Sequence, residues 1–384
     1  MKRFKRIIVI VTDSVGAGGA PDAERFGDEG ADTLKHIDEA VPGGLKIPNL
    51  RRLGWEKATH IHPEGVKIVG SYGRMREISN GKDTTSGHWE FMGNPVENPF
   101  PVFYDAFPQD LLDTFTKKTG HGWLGNEVAS GTEIIARLGP EHIQTKKPIV
   151  YTSADSVFQI AAHTDVIPLE ELYRICEVTR KEVCVGPYEV GRVIARPFVG
   201  ERQDYSRLPE RKMVFSYLKE KGYEVIGVGK IGDIYAHIDL TESYHTANNR
   251  EDMDFLIREL KRHRDKEGLL MANFVDFDSM YGHRRNAQGY AQCLEDFDAM
   301  LGELLPLLQD DELLMITSDH GNDPTMSGTD HTREEVPLVA YSPGLMESTD
   351  LGTRKTFADL GQTIMDNFDA GKLPFGTSFL NDLK

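Results

Sequence analysis

Leu313-Leu314-Met315-Ile316-Thr317-Ser318-Asp319-His320-Gly321-Asn322-Asp323-Pro324 decides how the rest of the chain is read. The apolar run from Leu313 to Ile316 has the length of a buried strand, and it stops in a turn that sets an aspartate beside a histidine. His331 follows inside Gly328-Thr329-Asp330-His331-Thr332. A carboxylate next to an imidazole at a strand end is a common way to hold a divalent cation near a substrate. Taken alone, the pair fits an ordinary structural turn equally well. The test is whether other strands deliver matching groups.

Ile7-Ile8-Val9-Ile10-Val11 is an unbroken β-branched run, as expected of a strand buried on both faces of a parallel sheet, and it ends at Thr12-Asp13. The glycines that follow do not make a dinucleotide loop, because Pro21 stands where Gly-x-Gly-x-x-Gly needs its last glycine. A helix is expected around 46–54 and a strand pair over Val66–Met75. Tyr223–Val228 reads as a strand leading to Gly229-Lys230, and Leu269–Val275 as another leading to Asp276-Phe277-Asp278, with His283 five residues beyond. Tyr290, Leu294, Phe297, Leu301, Leu304, Leu305 and Leu308 recur at helical spacing, and Val336–Ala340 is a further buried strand. Such repeated β-α-β units predict right-handed crossovers and a mostly parallel sheet with helices on both faces.

Two passages interrupt this pattern. Asp83-Thr84-Thr85-Ser86-Gly87 places three successive hydroxyls where a helix begins, suited either to an N-cap or to a nucleophile at a helix N-terminus. Pro95, Pro99 and Pro101 then end regular structure. From about 102 to 210 the texture changes, with strand-like runs at Pro148–Thr152, Gln159–Ala162 and Val190–Ala195. This reads as an inserted α/β domain. Over 192–212, Arg192, Arg196, Arg202, Arg207, Arg211 and Lys212 face only Glu201, Asp204 and Glu210, six basic against three acidic residues. Such a stretch is either a solvated loop or an anion-facing surface.

The chain of 384 residues is 39% hydrophobic, enough for a large core and two domains. Its formal charge of -17 disfavours nucleic acid and anionic membranes as partners, but not small phosphorylated substrates, since bound cations and local Arg and Lys set the field within a site. No run approaches the roughly 20 apolar residues of a membrane span, and Ile7–Val11 is too short for a signal-peptide core. A soluble, cytoplasmic protein is expected, its three cysteines reduced.

In a parallel sheet ligands bind beyond the carboxyl ends of the strands. Asp13, Asp278 with His283, and Asp319 with His320 all fall at such ends, and His331 and the 81–87 loop lie in connections that can reach the same edge. Three Asp and three His with no thiolate suit Mn²⁺, Zn²⁺ or Fe²⁺, and six ligands suit two ions better than one. A paired site is a recurrent device for phosphate chemistry, and a hydroxyl between the ions would become a nucleophile.

These residues carry a resemblance. Asp13, Gly81-Lys82-Asp83-Thr84, Asp278 with His283, Ser318-Asp319-His320-Gly321-Asn322-Asp323 and His331-Thr332 together resemble the alkaline phosphatase superfamily. Within it, Asp13-Ser14-Val15-Gly16, Ala20-Pro21-Asp22-Ala23, Gly87-His88-Trp89-Glu90, Tyr151-Thr152-Ser153-Ala154-Asp155-Ser156 and Val275-Asp276-Phe277-Asp278-x-x-Tyr281-Gly282-His283-Arg284 are similar to the phosphopentomutases. The stretches run from residue 13 to past 330, essentially the whole chain.

The resemblance implies an alkaline-phosphatase-like core over 1–95 and 213–384, with a smaller α/β cap domain inserted over 96–212. It implies an isomerase that interconverts ribose 1-phosphate and ribose 5-phosphate, and the 2-deoxyribose pair, with two Mn²⁺ and a sugar 1,5-bisphosphate intermediate that also serves as activator. Chemistry alone does not choose among Thr84, Thr85 and Ser86; the family pattern places the phosphothreonine on Thr84. One ion would contact Asp13, Asp319 and His320, the other Asp278, His283 and His331. Ser153, Asp155 and Arg192 match substrate-binding positions, with Arg207 and Lys230 as further phosphate-facing candidates. The rival reading within the superfamily is a metal-dependent phosphomonoesterase or another phosphomutase. The rival of a different class is a non-catalytic metal- or phosphosugar-binding protein that keeps the fold.

Overall fold

Eight strands line up in the order Asp350–Arg354, Ser71–Met75, Val336–Tyr341, Glu312–Thr317, Arg6–Thr12, Gly268–Phe274, Glu224–Gly229, Glu242–Tyr244. This computed structural model describes residues 3–153, 155–198, 200 and 203–384. The Arg6–Thr12 strand is central because Ile7 to Val11 are all β-branched and apolar, so it tolerates burial on both faces. It pairs in parallel with Gly268–Phe274 and with Glu312–Thr317, with Thr12 opposite Phe274 and Val11 opposite Thr317. That register brings the carboxyl ends of three strands to one line, and Asp13, Asp276 and Asp319 lie just beyond it.

Both faces of the sheet are covered. On one, Ile8, Ile10, Leu270, Ala272, Leu314 and Ile316 pack with residues of the Thr33–Ala40, Pro48–Leu53, Asn249–Arg262 and Ala287–Leu304 helices. The alternate residues Ile7, Val9, Val11, Leu269 and Leu313 are also fully buried. The expected helix near 46–54 occupies Pro48–Leu53, and the Tyr290 to Leu304 periodicity lies in the Ala287–Leu304 helix. Cys176, Cys184 and Cys293 are free and buried.

Two sequence expectations need correction, and one strand adds a direction that the sequence left open. The strand pair over Val66–Met75 is a single strand, Ser71–Met75, because the Val69 N–H bonds the Arg52 carbonyl instead of a ladder partner. The strand expected at Val190–Ala195 spans Arg192–Pro197. Val336–Tyr341 runs antiparallel to both neighbours, since no helix separates it from the Glu312–Thr317 strand and the chain simply returns.

The chain divides into two compact units, Met1–Asn98 with Pro209–Lys384, and Pro99–Leu208. The second has its own five-stranded sheet in the order Leu124–Val128, Ile149–Thr152, Val157–Ala162, Arg192–Pro197, Gln203–Ser206, alternating parallel and antiparallel pairs. Its apolar interior is separate: Leu112, Phe115, Phe158, Leu172 and Val193 form one cluster, and Ile134, Ile149 and Tyr151 belong to another.

Arg6 and Glu312, each 1% exposed, form an ion pair at the amino end of the central strands, and Arg6 Nη1 also donates to the Leu260 carbonyl at 2.8 Å. Removing one partner strands a buried charge. Glu312→Ala is expected to lower the unfolding free energy by about 3–5 kcal/mol, and urea melts of the two proteins check it.

Candidate metal centre

The three strand ends deliver Asp13, Asp278 and Asp319, all buried. Asp13, Asp319 and His320 place ligand atoms within 4.8 Å of one another, as do Asp278, His320 and His331. His320 Nε2 is 3.4 Å from Asp13 Oδ1 and 3.5 Å from Asp319 Oδ2. His283 Nε2 is 3.0 Å from Asp278 Oδ2, and His331 Nε2 is 3.7 Å from Asp278 Oδ1. The imidazoles of His320 and His331 lie 4.1 Å apart, those of His283 and His331 4.7 Å. All six residues singled out from the sequence thus meet at one edge. The local chain explains how His283 reaches it: a widened turn, with the His283 N–H bonded to the Asp278 carbonyl, puts both side chains on one side.

Hydrogen bonding fixes the tautomers. His320 Nδ1 donates to the Gly321 carbonyl at 3.0 Å and His283 Nδ1 to the Thr329 carbonyl at 2.6 Å, so each Nε2 is turned toward carboxylate oxygens. Asp13 Oδ1, Asp319 Oδ2 and His331 Nε2 are buried and have no hydrogen-bond partner. Buried polar atoms left without partners are rare and costly, and lone pairs converging on one another are favourable only around positive charge. The residues therefore fit divalent cations. The pKa shifts express the same need. Burial and repulsion from Asp13 raise Asp319 well above the ordinary carboxylate range. His320 is held well above the usual imidazole value, since the attraction of Asp319 and Asp13 outweighs a burial effect of opposite sign. Burial also opposes ionisation of Asp278, but His331 and His283 hold it well below its usual range.

Four supporting groups have no role in the sequence reading. Asn273 Nδ2 donates to Asp13 Oδ2 at 2.9 Å, Asn322 Nδ2 to Asp278 Oδ1 at 2.7 Å, and the Ser14 N–H to Asp319 Oδ1 at 3.1 Å. The fourth is His88, whose Nε2 lies 3.6 Å from Asp319 Oδ2 and whose imidazole burial pushes down to about 4. A polar residue inside the apolar run Leu269–Val275 was the one available signal for Asn273.

Thr84 opens the Thr84–Phe91 helix, and its Oγ1 is 3.1 Å from His320 Nε2. The cap is Asp83, not one of the hydroxyls: its carboxylate accepts from the N–H groups of Thr85 and Ser86 and from Ser86 Oγ at 2.7 Å. The Thr85 and Ser86 amides are therefore taken by Asp83. Gly87 lets this helix reach the centre, since a Cβ there would sit 2.1 Å from the Asp319 carbonyl oxygen.

The remaining named residues are placed as follows. Lys230 follows the Glu224–Gly229 strand, one residue past the Gly229–Asn273 pairing, on the same edge as Asp13. In the other unit, Ser153, Asp155, Arg192 and Arg207 gather at one end of the sheet, where Val157 pairs with Arg192 and the Arg207 N–H bonds the Gly191 carbonyl. The basic stretch carries acidic partners: Arg192 with Asp155 and Asp204, Arg207 with Glu189, Arg211 with Glu97, Lys212 with Glu220. Arg202 lies outside the described residues. Glu242, Glu259 and His263 also cluster, but Arg258 and Arg262 already neutralise those carboxylates. Among the described residues no helix is long and apolar enough to cross a membrane.

The comparisons with known proteins agree with this centre. The model of the metalloenzyme superfamily matches residues 5–372. A phosphopentomutase from Caldanaerobacter subterraneus subsp. tengcongensis is 50% identical over 391 residues, which cover 99% of this chain and 98% of the relative. The chain belongs to the metalloenzyme superfamily and, within it, to the phosphopentomutase family, and is thereby a metal-dependent phosphomutase. Its fold is a large, mostly parallel sheet flanked by helices, and solved structures share it. The PH0037 protein from Pyrococcus horikoshii shares that fold with a TM-score of 0.51 at 14% identity, over 98% of this chain and 100% of its own. Leishmania mexicana phosphoglycerate mutase, solved at low cobalt concentration, does so with a TM-score of 0.51 at 11% identity, over 98% and 97%.

Because Gly87 abuts Asp319, Gly87→Ala is expected to push the helix off the strand end. A displacement of ~1 Å costs on the order of 100-fold in rate. Steady-state kinetics at saturating Mn²⁺ check this, with circular dichroism to confirm that the variant is folded.

Proposed function

We propose that this phosphomutase interconverts ribose 1-phosphate and ribose 5-phosphate, and the 2-deoxyribose pair, through a phosphothreonine at Thr84 and a sugar 1,5-bisphosphate. The observation that carries the reading is the Thr84 hydroxyl, aimed at His320 from the first residue of its helix, while Ser86 is committed to the capping carboxylate. Asp13, Asp319 and His320 would hold one ion and Asp278, His283 and His331 a second, both Mn²⁺; bound there, the ions supply positive charge to the phosphoryl oxygens. The chain's own part is orientation. Asp83 holds the first turn of the helix, and Asn273, Asn322 and the Ser14 N–H hold the carboxylates.

In the first transfer the Thr84 Oγ1–phosphorus bond breaks while a free hydroxyl of the sugar phosphate bonds to phosphorus, and the proton it gives up ends on the departing Thr84 oxygen. The bisphosphate then turns, and the phosphate at its other end returns to Thr84. A trace of bisphosphate serves as activator by charging Thr84. The Pro99–Leu208 unit is proposed as the substrate-binding cap, with Ser153, Asp155, Arg192 and Arg207 as contacts and Lys230 as a further phosphate ligand. Arg192 and Arg207 would exchange or share their acidic partners with the substrate. A closed site has a physical purpose, because water would hydrolyse an exposed phosphothreonine. A small sugar phosphate as sole partner, with neither nucleic acid nor membrane, and a cytoplasmic location follow from the same reading.

The test is a product balance with Mn²⁺, ribose 1-phosphate and a trace of sugar bisphosphate. Ribose 5-phosphate is expected in large excess over free phosphate. Activity should fall at least ~1,000-fold in Thr84→Ala, and be lost on chelation and restored by Mn²⁺. Free phosphate as the main product would identify an esterase instead. Full activity in Thr84→Ala would move the nucleophile to Thr85 or Ser86.

A further inference from the structure

His88 is fully buried on the same helix as Thr84, one turn further on, and none of the reactions proposed above uses it. Its Nε2 has no hydrogen-bond partner, yet it lies 3.6 Å from Asp319 Oδ2, which has none either. The Asn273 side chain borders the same imidazole; its amide oxygen is a third orphaned atom, while its nitrogen holds Asp13. On the other side of the ring, the Tyr235 hydroxyl donates to the His88 carbonyl at 2.6 Å and stands 3.4 Å from Nδ1.

The surroundings of Nε2 assign its proton. The Asn273 amide oxygen only accepts, and so does Asp319 Oδ2 once a bound cation keeps the carboxylate ionised; a bare lone pair facing them would be repelled. A proton on Nε2 turns the same contact into a donor and leaves the Nδ1 lone pair beside the Tyr235 hydroxyl, whose proton goes to the His88 carbonyl. His88 is also absent from every group whose ligand atoms all lie within 4.8 Å of one another. It is therefore placed as a support of the ligands, not as a ligand.

We infer that His88 is a positioning residue whose Nε2–H bridges Asp319 Oδ2 and Asn273 Oδ1, so that the helix carrying the nucleophile also orients Asp319 and, through Asn273, Asp13. The inference rests on the reading of Asp13, Asp319 and His320 as one ion site. Groups that hold a ligand oxygen typically change metal affinity by 10–100-fold when removed. The bridge has a further consequence: a shift of the helix and loss of the ion become one event, because a single side chain belongs to both.

The experiment is a calorimetric titration of metal-free protein with Mn²⁺, with the melting temperature of each metal-free protein recorded alongside. Wild type is expected to bind two Mn²⁺. His88→Phe, which keeps a buried ring but no donor, should weaken one of them at least 10-fold. His88→Gln, whose amide N–H can reach the same oxygens, should stay within about threefold. Two Mn²⁺ bound by His88→Phe with wild-type affinities would overturn the inference and leave the metal centre standing. Failure of wild type to bind Mn²⁺ would overturn the metal centre and the inference with it. If His88→Phe does not fold, His88→Gln and the shorter His88→Asn decide: only the latter should lose affinity, and equal affinities would overturn the proposal.

Discussion

Everything in the larger unit depends on gathering three buried carboxylates at one sheet edge. Asp13, Asp278 and Asp319 cannot all ionise there without compensating positive charge, and the raised Asp319 and His320 values are the signature of that conflict. The conflict is built by register. Parallel pairing of Arg6–Thr12 with both neighbours aligns their carboxyl ends, and a slip of one residue would turn every side chain to the opposite face. Complete burial on both faces makes such a slip prohibitive. The cost of concentrating charge is thus met by the stability of an apolar sheet some distance from it. The same logic accounts for the glycine at position 87, where only a residue without a side chain lets a helix close on the strand end.

Much of this was legible in the chain itself. The five β-branched residues from Ile7, the apolar runs at Leu269 and Leu313, and the acidic residues that terminate them locate the central strands and the edge where the site forms. They do so because burial on both faces leaves a continuous hydrophobic signal, and because a charged residue next to such a run ends it. The spacing of Asp278 and His283 was visible, but the widened turn that unites them was not, since nothing in the residue types forecasts that hydrogen-bond pattern.

What the sequence concealed has physical reasons too. Glu242–Tyr244 and Asp350–Arg354 are short edge strands, held by one neighbour each and lacking any apolar alternation. The direction of Val336–Tyr341 depends on how the preceding loop returns, which composition does not encode. Three hydroxyls after Asp83 left an N-cap and a nucleophile both open; the Asp83 carboxylate takes the cap, and Thr84 faces His320. Asn322 and His88 stand in stretches that carry the resemblance, but their part, like that of Asn273, shows only in their position relative to the carboxylates.

The account's central claim is that the strand-end carboxylates and imidazoles form two cation sites with Thr84 beside them. Anomalous diffraction at the manganese edge, from crystals equilibrated with Mn²⁺, tests it most directly. Two peaks are expected, one among Asp13, Asp319 and His320 and one among Asp278, His283 and His331. No peak at this edge, or manganese bound only at the Glu242, Glu259 and His263 cluster, would contradict the account.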